Sequence, residues 1–89
     1  MPILYIQGWK EGIIVFLVNG KIGSTYIVEG ISLEQDIKRR LQALGLTKGT
    51  KITILNNKKS GSVIFSVRGS RLAVGKQIAN GVTLGEAVR

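Results

Sequence analysis

The stretch Asp36-Ile-Lys-Arg-Arg-Leu-Gln-Ala-Leu-Gly-Leu-Thr-Lys-Gly49 carries the body of a helix, the signal that stops it and the entry to a strand. Leu33, Ile37, Leu41 and Leu44 recur every three or four residues, which gathers them on one face of a helix and predicts that this face is buried. Gly45 offers the left-handed residue that follows a helix. Leu46 beyond it can fold back on Leu41, as in a Schellman stop. Working outward, Ser32 with Gln35 three residues later reads as an N-cap and capping box, so the helix is expected at about residues 32–44. Glu34 and Asp36 suit the first turn, where the helix dipole favours negative charge, and each stands four residues before a base, Lys38 and Arg40. Gly49 then opens the strand Thr50-Lys-Ile-Thr-Ile-Leu55.

The rest of the chain has the rhythm of short strands separated by turn residues. Ile13-Ile-Val-Phe-Leu-Val18 ends at the turn dipeptide Asn19-Gly20, and Ser24-Thr-Tyr-Ile-Val28 is closed by Gly30 before the helix. Lys51–Leu55 and Ser62–Arg68 flank the polar stretch Asn56–Gly61, which makes them a hairpin with a solvated tip carrying Lys58 and Lys59. Val63, Phe65 and Val67 share one strand face and are assigned to the core. Arg68-Gly-Ser70 turns the chain into Arg71-Leu-Ala-Val74. A short helical turn follows, closed by Asn80-Gly81, and Val82-Thr-Leu84 can rejoin the sheet. The expected fold is mainly β: a small SH3-like barrel of five to six strands with one α-helix and a short helical turn near the C-terminus. Eighty-nine residues allow one core, so residues 1–89 are read as a single domain, with 1–15 as a leader and 16–84 as the barrel.

Composition narrows the chemistry. The chain has no Cys and no His, which removes thiolate and imidazole metal ligands and the usual nucleophile–base pairs. Five carboxylates remain, Glu11, Glu29, Glu34, Asp36 and Glu86, and two of them already serve the helix N-terminus. The reading is therefore not an enzyme. Ile13–Val18 is the longest apolar run, far short of the roughly 18–20 residues that span a bilayer, and the first residues lack a secretory pattern. A cytoplasmic protein is expected. A formal charge of +8 suits an acidic partner, a phosphate backbone or an anionic surface alike.

Arg40-Leu41, Leu44-Gly45-Leu46 and Gly49, followed by the strand to Leu55, resemble the FeoA family, small cytoplasmic proteins of bacterial ferrous iron uptake. The likeness extends from about Phe16 to Leu84 and includes Arg71-Leu-Ala-Val-Gly75 leading into the short helical turn. Where family members usually carry a Pro-Gly-like loop after the first strand, this chain has Lys21-Ile-Gly23. The resemblance implies a non-catalytic accessory protein that binds the cytoplasmic part of the membrane ferrous iron transporter FeoB and is peripheral to the membrane through that partner. The same module also resembles the C-terminal domain of iron-dependent repressors, which gives a second reading as an iron-sensing domain.

Candidate partner-binding residues are Arg39 and Gln42, which point away from the apolar helix face, and Arg68 and Arg71, which flank a tight turn. No metal site is expected. Glu29, Glu34 and Asp36 are the nearest to a carboxylate cluster, and without imidazole they would hold ferrous iron weakly, so no cofactor is required. A nucleic-acid-binding barrel is the rival reading, since +8 suits phosphate. Against it stand the dispersed charges and the small number of aromatics, with Phe16 and Phe65 placed inside apolar strands. Tyr5 and Trp9 in the leader are assigned to packing at the core or its edge.

Overall fold

A computed structural model describes residues 14–86. Tyr5, Trp9 and most of the leader lie outside that range. The described residues form β1 (Ile14–Phe16), a 3-10 turn (Leu17–Asn19), β2 (Thr25–Ile31), α1 (Gln35–Ala43), β3 (Lys51–Asn57), β4 (Val63–Val67), β5 (Ser70–Val74), α2 (Lys76–Ala79) and β6 (Val82–Glu86). All pairings are antiparallel and the sheet order is β1-β6-β2-β3-β4-β5. This is the expected small SH3-like barrel, with α1 inserted between β2 and β3. Two irregularities bend the sheet, one between Val28 and Gly30 in β2 and one between Ile54 and Asn56 in β3. Each slips an unmatched residue into its strand, which increases local twist and lets the sheet wrap around one core.

That core is strictly apolar. Tyr26 and Val28 from β2, Ile52 and Ile54 from β3, and Val63, Phe65 and Val67 from β4 face inward, joined by Val82 and Leu84 of β6. As the alternation in β4 predicts, Val63, Phe65 and Val67 are buried, while Ile64 and Ser66 between them are half-buried. Leu17, Leu41, Leu46 and Ala79 close the ends.

The helix stop forms as the spacing predicts. Gly45 sits at φ +103, its N–H donates to Gln42 O at 3.0 Å, and Leu46 N–H donates to Leu41 O at 2.9 Å. These are the two bonds of a Schellman motif, and they place Leu46 in the core with no exposure. Gly49, at φ +91, donates its N–H to Val28 O at 2.8 Å and so starts the β2–β3 pairing.

The helix start is different from the expectation. Glu34, not Ser32, is the N-cap, no side chain caps the helix, and the helix runs from Gln35 to Ala43 instead of 32–44. The reason is tertiary. Ile31 is still paired with Val82, and Ser32 N–H is taken by Gly81 O at 2.7 Å, so the chain cannot turn into a helix there. A side chain on Gly81 would run into Leu33 and Ser32 O, which makes glycine a steric requirement where this crossing is tightest. Other boundaries move too. The Ile13–Val18 strand becomes a three-residue β1 and a 3-10 turn, β2 continues through Gly30, and β3 includes Asn56 and Asn57. Phe16 is 47% exposed and Leu44 55% exposed, against the expectation that both are covered. The Leu44 difference follows from position, since it is the C-cap residue, where the helical face has already turned away from the barrel.

Asn57 has a role that a polar hairpin loop does not suggest. Its amide Nδ2 donates to Val18 O at 3.1 Å and to Gly20 O at 2.7 Å, pinning the loop after the 3-10 turn to the end of β3. Tyr26 Oη holds the other side of the same loop by accepting from Lys21 N–H at 3.0 Å.

Two stability predictions come from these contacts. Gly45→Val is expected to lower stability by about 1–3 kcal/mol, because a β-branched residue at positive φ is strained. An unchanged denaturation midpoint would contradict that stop. Asn57→Ala is expected to cost about 1–2 kcal/mol, the net worth of two partly buried hydrogen bonds, and to speed amide exchange in residues 18–24. Exchange there no faster than in the wild type would mean the loop is held by something else.

Candidate functional site

Arg39 and Gln42 are exposed and three residues apart on α1, so helix geometry puts them on one outward face. Arg71 is exposed near the start of β5, opposite Ser66 in register. Arg68 is exposed as well, yet its situation is unlike that of the other three. It occupies the first central position of the two-residue β4–β5 hairpin at φ +51, with Gly69 following at φ +84. Two positive φ values are the type I′ arrangement that matches the twist of a hairpin, normally taken by Asn or Gly. Among the described residues Arg68 is the only non-glycine at positive φ. Its side chain crosses to α1: a Cβ built on Gly45 would stand 2.9 Å from Arg68 Cδ and 3.4 Å from Nε. The basic side chain therefore lies over the C-terminal turn of α1, where the helix dipole favours positive charge. The structure ties Arg68 to the helix stop and leaves Arg39, Gln42 and Arg71 open to solvent.

Between α1, β5 and α2 lies a groove of about 180 Å³, lined by Ile37, Arg40, Leu41 and Leu44 of the α1 segment, Leu72, Ala73 and Val74 of β5, and Ile78 of α2. Arg40, paired with Asp36 in the sequence reading, is its one charged lining residue. Residues from three separate parts of the chain meet here, which is why the groove has no local signature. The one hint was Leu44, the last residue of the apolar stripe immediately before the stop.

Glu29, Glu34 and Asp36 are exposed. Among the described residues no group of three or more His, Cys, Asp or Glu is placed to hold a metal ion, so these three do not form a shared site. Glu29 instead lies over Gly85, whose missing side chain leaves room for it: a Cβ there would come 2.6 Å from Glu29 Oε2. Among the described residues no helix is long and apolar enough to cross a membrane. Lys58 and Lys59 are exposed at the hairpin tip, whereas Gly61 beside them is buried under the stem of Lys76.

The barrel from β1 to β6 matches the FeoA domain over residues 15–84. The chain belongs to the FeoA family. A protein of Methanocaldococcus jannaschii described as Fe(2+) transport protein A is 31% identical over 71 residues, covering 80% of this chain and 85% of that protein. Among solved structures, the iron uptake regulatory protein FeoA superposes with a TM-score of 0.74 at 33% identity, over 82% of this chain and 96% of that one. A manganese-dependent transcriptional repressor superposes with a TM-score of 0.76 at 16% identity, covering 83% of this chain and 42% of the repressor. That second likeness is one of fold, and this chain spans less than half of the repressor. The sequence-level resemblance to both groups is thus matched in three dimensions.

For this FeoA-family chain, replacing Glu29, Glu34 and Asp36 together by Gln, Gln and Asn is expected to leave support of iron-dependent growth intact. Some stability is expected to be lost, because Asp36 lies in the first turn of α1. Loss of growth support in a variant that keeps its wild-type circular dichroism would instead assign these carboxylates an iron-handling role.

Proposed function

We propose that this chain is a non-catalytic accessory of ferrous iron transport, cytoplasmic, that acts by binding the cytoplasmic part of the membrane transporter FeoB. The observation that supports this reading is the family match across the whole barrel, residues 15–84, rather than over a single motif. The relative from Methanocaldococcus jannaschii, described as an Fe(2+) transport protein, supports the iron assignment. The surface supports a binding role. Arg39, Gln42 and Arg71 are exposed, and a chain of net charge +8 is drawn to an acidic partner over distances beyond contact. No resident cofactor is part of this reading, and membrane association follows from the partner.

Arg39 and Arg71 are the residues to alter, since Arg68 is engaged with the helix stop and its reversal would put a carboxylate at the negative end of α1. Arg39→Glu with Arg71→Glu is expected to change stability little, each exposed substitution costing within about 0.5 kcal/mol. The variant is expected to associate with the cytoplasmic part of FeoB more slowly, and with a weaker dependence on salt, measured by surface-based kinetics at low and moderate ionic strength. Equal association rates for wild type and variant at low salt would remove this patch as the docking surface. Absence of wild-type binding would remove the partner itself.

A further inference from the structure

The loop after the 3-10 turn and the tip of the β3–β4 hairpin meet at one end of the barrel. Gly20 O accepts from Asn57 Nδ2 at 2.7 Å and Gly23 N–H donates to Ile54 O at 2.7 Å, so Lys21 and Ile22 lie alongside Leu55 and Lys58. Lys59 follows at the tip, and the stem of Lys76 lies over Gly61 of the same hairpin. Lys21, Lys58, Lys59 and Lys76 are exposed, and beside them Ile22 is 61% and Leu55 40% exposed. We propose that this end of the barrel rests directly on an anionic bilayer, with Ile22 and Leu55 entering the headgroup layer and the lysines meeting lipid phosphates, a contact separate from any that a protein partner brings.

Charge, residue type and rigidity select this occupant. No Asp or Glu occurs in residues 18–25 or 54–76, the segments from which this end is drawn, so nothing within them offsets the ammonium groups. An anionic leaflet attracts such groups, and apolar side chains among them add burial on contact. The four bases are all Lys, mobile point charges whose aliphatic stems can lie along apolar surface while their heads follow fluid headgroups. Arginine suits fixed, bidentate pairing with a protein carboxylate, and the described arginines stand elsewhere, Arg39 and Arg40 on α1, Arg68 and Arg71 at the β4–β5 turn. A nucleic acid is disfavoured because Ile22 and Leu55 offer no ring for a base to stack on, while Tyr26 and Phe65 are buried. The exposure of Ile22 is also built in. Lys21 N–H donates to Tyr26 Oη at 3.0 Å, and with Gly20 and Gly23 held on β3 the backbone on both sides of Ile22 is fixed before contact, which spares the entropy of ordering it.

Co-sedimentation of the full chain alone with vesicles tests this without the transporter, so its outcome is independent of the FeoB reading. Partition onto vesicles of phosphatidylcholine with phosphatidylglycerol is expected at low salt, falling as salt rises, with little onto phosphatidylcholine alone. Lys58→Gln with Lys59→Gln is expected to weaken partition about 10- to 30-fold and to flatten its salt dependence. Ile22→Ser with Leu55→Ser is expected to weaken it several-fold at every salt concentration, with the circular dichroism of the wild type. Should Leu55→Ser fail to fold, Ile22→Ser alone decides. Arg39→Gln with Arg71→Gln removes the same net charge from elsewhere and is expected to weaken partition no more than about two-fold. Failure of the wild type to partition onto the anionic vesicles would overturn the proposal. An arginine pair as damaging as the lysine pair would overturn it by making net charge, not this face, the cause. Loss with the lysine pair and none with the apolar pair would also overturn it, in favour of a polyanion such as nucleic acid held through charge alone.

Discussion

The reversal at Gly45-Leu46 is the constraint on which the remainder of the molecule depends. Two backbone bonds, Gly45 N–H to Gln42 O and Leu46 N–H to Leu41 O, end α1 and drive Leu46 into the core in one step. A nine-residue helix has little stability of its own, so its position comes from what it buries. Leu46 and Leu41 supply that burial, and Gly49 then pairs with Val28 to begin the central β2–β3 ladder. Arg68 adds a third hold from the β4–β5 turn, in a backbone conformation that costs a non-glycine residue roughly 1–2 kcal/mol, and its side chain lies over the helix end.

The same reversal shapes the surface beside the helix. Because the helix stops at Ala43, Leu44 is left at the rim of the barrel instead of under it, and the gap between α1, β5 and α2 becomes an apolar groove. The outward face of α1 carries Arg39 and Gln42. One short helix thus carries exposed Arg39 and Gln42 and lines the apolar recess with Ile37, Arg40 and Leu41.

Loop order is set by single polar side chains. Between Gly20 and Thr25 the one large apolar side chain, Ile22, is 61% exposed, and the backbone carbonyls of Val18 and Gly20 accept from the Asn57 amide. Among the described residues no buried side-chain polar atom lacks a hydrogen-bond partner, so the apolar core is not compromised by the polar groups around it.

The sequence by itself determined the features that depend on a few neighbouring residues. The stop at Gly45 was legible because positive φ is a local demand that glycine meets, and the core face of β4 because alternation at Val63, Phe65 and Val67 needs no partner to be recognised. The family was legible for the same reason, since its markers are helix stop and strand entry at fixed spacing. Tertiary structure decided the rest. Ser32 has the right chemistry for an N-cap, yet Gly81 O takes its backbone N–H and holds it at the end of β2, so the helix starts three residues later. Asn57 reads as a loop residue and serves as a clamp, because its partners lie 37 and 39 positions away. Arg68 and Arg71 look equivalent on either side of a turn, and only the approach of α1 separates them. The groove is the extreme case: α1, β5 and α2 each carry an ordinary apolar pattern, and a concave surface exists only once the sheet has curled far enough to bring the three together.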